Sequence, residues 1–67
     1  MGMSVVIEVL IGHLNRHRER LDAPMITLID KLVETGEQPD ETQKEMLYRA
    51  ERRLRFGLGD EEFYRRN

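Results

Sequence analysis

Apolar residues reach almost all the way round the helix that the segment 5–14, V-V-I-E-V-L-I-G-H-L, predicts. Ser4 is a residue type that caps helix N-termini, and from it Ile7, Leu10, Leu14 and Leu21 keep a seven-residue register with His17 in the remaining slot. Val6, Val9 and Ile11 widen the apolar surface at the N-terminal end only. A one-sided stripe packs on one neighbour, whereas apolar residues on two sides need cover from more than one element. A chain of 67 residues has few elements to supply that cover. The segment therefore reads as a self-association helix, with Val6, Ile7, Leu10 and Leu14 buried between two subunits. After Arg16 the same helix turns charged.

Asp22-Ala23-Pro24 interrupts the pattern, because proline removes a backbone donor and disfavours helix at the residue before it. Two readings stand. Asp22 caps a new helix with Pro24 in its first turn and Leu21 stapled onto Ile26, or one long helix is kinked at Pro24. Next, Met25, Ile26, Leu28, Ile29, Leu32 and Val33 cover more than half of a helix circumference, which makes that helix central and adds Met25 and Ile29 to the dimer interface. Thr35-Gly36 is a stop signal and Pro39-Asp40 a start signal, so the short loop 36–40 joins two antiparallel helices. In the helix 41–56, Met46, Leu47, Ala50 and Leu54 form a narrow stripe, and every other position but Tyr48 is polar up to Phe56. Gly57 and Gly59 end it. The tail 57–67 has the mobility that two glycines give, with Asp60 able to cap one more turn. Phe63 and Tyr64 either fold back over the hairpin or form a peptide that a partner recognises. The fold class that follows is all-α: one domain, 1–67, a helical hairpin with a kinked or broken first helix, assembling as a homodimeric helix bundle.

Composition narrows the list of functions. A charged fraction of 36% with 39% hydrophobic residues suits a helical protein, and the absence of cysteine excludes disulfides and thiolate metal sites. The apolar run is about half the ~20 residues a membrane span needs. No signal-peptide pattern accompanies it, and Gly2 is followed by Val6 where a myristoylation signal takes Ser or Thr. The expected location is the cytoplasm. No nucleophile with a neighbouring base can be named, so the chain reads as non-enzymatic and without a cofactor. His13 and His17 share a helix face and offer half a metal site, but no H-E-x-x-H pattern or nearby carboxylate completes it.

Charge is segregated. Six acidic residues against two basic ones lie in 30–45, an acidic tip around the hairpin loop, and four arginines against one glutamate lie in 49–55. The helix macrodipole favours this order on stability grounds alone. As docking surfaces the two ends have opposite signs: Glu34, Glu37, Asp40, Glu41 and Glu45 suit a basic partner, while Tyr48, Arg49, Arg52, Phe56 and Tyr64 are hot-spot residue types. A helix-turn-helix reading meets two obstacles. The connection is longer than that motif's turn, and the recognition helix would present Asp40 and Glu41 to phosphate.

The segment L-D-A-P-M-I-T-L-I-D-K-L, followed by P-D-E-T-Q, resembles the phage anti-quorum-sensing protein family over residues 14–55. The resemblance implies a dimer of helical hairpins, in the host cytoplasm, that binds the DNA-binding domain of a quorum-sensing transcription activator and a pilus-assembly ATPase. No functional residue of that family can be matched to a position here. On this reading the acidic tip would occupy the activator's basic surface in place of phosphate. The alternatives are a small DNA-binding regulator using Arg49–Arg55, or a subunit whose only task is assembly.

Overall fold

Helix α1 (Val5–Arg16) starts where Ser4 accepts a hydrogen bond from the Ile7 amide through its Oγ, at 3.3 Å. In this computed structural model, which describes residues 3–64, the Ser4 amide also donates to Gln38 Oε1 at 2.9 Å, tying the start of α1 to the hairpin loop. Gly2 and the last three residues of the tail lie outside the described residues.

The seven-residue register predicts a helix running on to Leu21, but α1 ends at Arg16 and a short 3-10 turn (Arg18–Arg20) follows. His17 caps α1 with φ −108° and ψ 31°, and its ring stacks on Phe63 at 5.7 Å between centroids. Helix α2 (Ala23–Thr35) then begins afresh: Asp22 Oδ1 accepts from the Met25 amide at 3.2 Å, and Pro24 falls in the first turn, where its missing N–H costs nothing. Of the two readings of Pro24, the capped break is the one observed. Arg18 braces the turn from outside, donating to both carboxylate oxygens of Asp30 on α2 at 3.1 and 3.0 Å.

Gly36 ends α2 in the left-handed conformation, φ 69°, with its amide donating to Leu32 O at 2.8 Å. Helix α3 (Glu41–Leu58) opens on a capping box. Asp40 Oδ1 accepts from the Gln43 amide at 2.7 Å and Gln43 Oε1 accepts from the Asp40 amide at 3.0 Å. The helix passes through Gly57, where it was expected to stop, and turns only at Gly59, φ 88°. The last element, α4 (Asp60–Phe63), is a single turn.

The fold among the described residues is all-α. Ile7, Leu10, Ile11 and Leu14 of α1, Met25, Leu28, Ile29 and Leu32 of α2, Leu47 and Leu54 of α3 and Phe63 of α4 make one buried cluster. Of the six residues expected between subunits, Ile7, Leu10, Leu14, Met25 and Ile29 are buried within the single chain. Part of the cover that the sequence pattern demands comes from α2, α3 and Phe63, which α4 folds back over the end of α1. Val6 alone of the six stays outside, 66% exposed, beside Val5 at 73% and Val9 at 52%. No described helix is long and apolar enough to cross a membrane.

Candidate interaction surface

Helix α3 is packed on one side only. Leu47 and Leu54 are buried and Ala50 and Glu51 half-buried, while Glu41, Glu45, Tyr48, Arg49, Arg52 and Phe56 are among its exposed residues. At 100° per residue, these six share the outward side of the helix, acidic at its start and basic and aromatic towards its end. Tyr48, Arg52 and Phe56 follow one another at intervals of four. Phe56 is 93% exposed, so its ring has almost no cover from its own chain. Arg49 pairs with Glu45 one turn back at 2.8 Å, whereas Arg52 makes no ion pair among the described residues.

Beside that stripe runs a groove of about 310 Å³ between α3 and the link that joins the 3-10 turn to α2. The apolar part of its lining, its floor and edge, comes from Leu21, Pro24, Met25, Ala50 and Leu54 with the exposed Met46. Arg20 stands on the link wall and Arg49 and Arg53 on the α3 wall. Among the described residues the one acidic side chain lining it is Asp22, whose Oδ1 caps α2. The sequence pattern signals half of this groove, the arginines of α3. The other half comes from Arg20 and Leu21, which the capped break at Asp22 brings across to α3.

The acidic tip is partly used up. Asp40 belongs to the capping box, Glu41 lies 3.6 Å from Lys44, and Glu45 holds Arg49. Glu34 and Glu37 are exposed and make no ion pair among the described residues. Tyr64 is likewise engaged. Its hydroxyl donates to Glu51 Oε2 at 3.0 Å and accepts from Arg55 at 3.5 Å, and its ring meets His13 edge-on at 5.0 Å. That hydroxyl, and then the Glu51 carboxylate, raise the Arg55 pKa above its ordinary value, so Arg55 stays a cation.

The two histidines come together with Phe63 and Tyr64. His17 Nε2 lies 3.4 Å from the Phe63 carbonyl oxygen, and the His13 ring is 5.6 Å from the Phe63 ring. This cluster latches α4 onto α1. Among the described residues no three His, Cys, Asp or Glu side chains are grouped to hold a metal.

No protein-family model matches the chain, and no curated protein or solved structure is significantly similar to it. The likeness to phage anti-quorum-sensing proteins therefore rests on the sequence pattern of residues 14–55 alone.

Proposed function

We propose that this chain is a non-enzymatic protein-binding module and that α3 is the element its partner meets. The observation that carries the reading is Phe56, a phenylalanine 93% exposed and in line with Tyr48 and Arg52. Burying a phenylalanine is worth about 1.5–3 kcal/mol, and aromatic and arginine side chains dominate the energetics of protein interfaces. Duplex DNA is the less suitable occupant of this stripe. Glu41 and Glu45 share it, the net charge is −2, and an exposed phenylalanine gains little from phosphate.

A photo-reactive phenylalanine analogue at position 56 tests the reading in lysate of the cell that makes the protein. It should yield one discrete adduct with another protein, while the same probe at Thr27, exposed on α2, yields none. Replacing Tyr48 and Arg52 by alanine should reduce that adduct several-fold. Equal labelling from both positions, or arginine-dependent binding to duplex DNA at physiological salt, overturns the proposal.

The narrower reading implied by the resemblance, an inhibitor seated on the DNA-binding domain of a transcription activator, finds support in Glu34 and Glu37, which are exposed and make no ion pair among the described residues. If the acidic tip mimics phosphate there, Glu34→Lys with Glu37→Lys should weaken the complex with a purified activator domain about tenfold. A complex indifferent to both changes rejects that reading and leaves the α3 surface untouched.

A further inference from the structure

We infer that the groove beside α3 receives an acidic amphipathic helix, one that sets an apolar side chain on the floor and carboxylates against both walls. This deepens the reading of α3 as the binding element and rests on it. The occupant follows from the chemistry of the walls. Arg20 on one side and Arg53 on the other make no ion pair among the described residues, and with Arg49 they outnumber the single carboxylate of the lining, Asp22, three to one. Arg49 is held only by an exposed i, i+4 pair with Glu45, the kind of contact worth a fraction of a kcal/mol and readily exchanged for a partner's carboxylate. The groove is therefore net basic, most strongly along α3, and asks for negative charge in its occupant.

Charge alone does not define the ligand. The floor is apolar, with Met46 exposed at its edge and methionine able to re-pack around different shapes. A phosphate backbone gains nothing from such a floor. A helix does: side chains at i and i+4 project from one face into a groove, and residues flanking them reach the rims. A volume of about 310 Å³ is at the small end of ligand sites. The partner is thus acidic at this contact, opposite in sign to one that would dock on the hairpin tip.

The test uses the whole chain and a fluorescein-labelled peptide of about four helical turns, with leucine and phenylalanine on one face and glutamate elsewhere. Its counterpart carries lysine for every glutamate. In fluorescence anisotropy the glutamate peptide should bind saturably and the lysine peptide at least about tenfold more weakly. Arg20→Glu with Arg53→Glu should lower affinity by about tenfold or more, and so should raising the salt concentration. Met46→Trp, which narrows the groove without touching its charges, should lower affinity several-fold while the helical circular dichroism is unchanged. The inference is overturned if the glutamate peptide does not saturate, if both peptides bind alike, or if Met46→Trp has no effect. It is also overturned if short duplex DNA binds through the same arginines irrespective of Met46→Trp. Adducts from position 56 that survive a failed peptide experiment would sink the groove assignment alone, whereas loss of both removes the α3 reading as well.

Discussion

Gly57 and Gly59 are close in sequence and differ in backbone: Gly57 continues α3, whereas Gly59 has φ 88° and ψ 154°, a region essentially reserved for glycine. A Cβ at either would meet nothing within 4 Å, so sterics with neighbours do not separate them and backbone conformation does. Gly57→Ala should stabilise the protein by about 0.5–1 kcal/mol, because alanine forfeits less freedom in a helix. Gly59→Ala should destabilise it by about 1–3 kcal/mol through backbone strain. Urea denaturation of the two variants checks the contrast, and equal effects would mean that the turn into α4 is not fixed as described. Read from sequence, both glycines look like the same stop signal. Telling them apart needs Phe63, whose burial over His17 dictates where the chain must turn.

At the scale of the element, the starts of α1 and α3 are legible, that of α2 is one of two readings, and the end of α1 is not legible, for a physical reason. The caps at Ser4, Asp22 and Asp40 bind amides three residues on, so the signal lies within a single turn of sequence. Asp22→Ala should therefore lower stability by about 1 kcal/mol, seen as a shift in the denaturation midpoint. An unchanged midpoint would mean that Pro24 and the Arg18–Asp30 pair hold the break without the cap. The end of α1 depends instead on contacts across the chain. His17 packs on Phe63, 46 positions away, and no window of residues around His17 records that. The groove has the same origin. Its arginines on α3 stand out in the sequence, but Arg20 joins them only because α1 stops before the register says it should.

For the whole molecule, the two-sided apolar pattern of 5–14 is met on one side only: Val5, Val6 and Val9 stay exposed. The inner residues face α2, α3 and Phe63 of the same chain. A core closed within one chain sets an expectation for stability: the thermal midpoint should not move over about a hundredfold range of protein concentration, whereas an obligate dimer's midpoint rises with concentration. Substitutions divide α1 in the same way. Leu10→Lys puts a charge among buried side chains and should unfold the chain at every concentration, since a domain this small has only a few kcal/mol to lose. Val6→Lys and Val9→Lys place theirs on the open side and should leave the circular dichroism unchanged. Those valines with Val5 are also the apolar face of α1 still available to a second copy. If sedimentation equilibrium finds dimers of the unmodified chain, the paired lysine substitutions should return them to folded monomers. A midpoint that climbs with concentration even in the paired lysine variant, or a Val9→Lys chain that unfolds, would instead restore α1 as a helix buried between subunits.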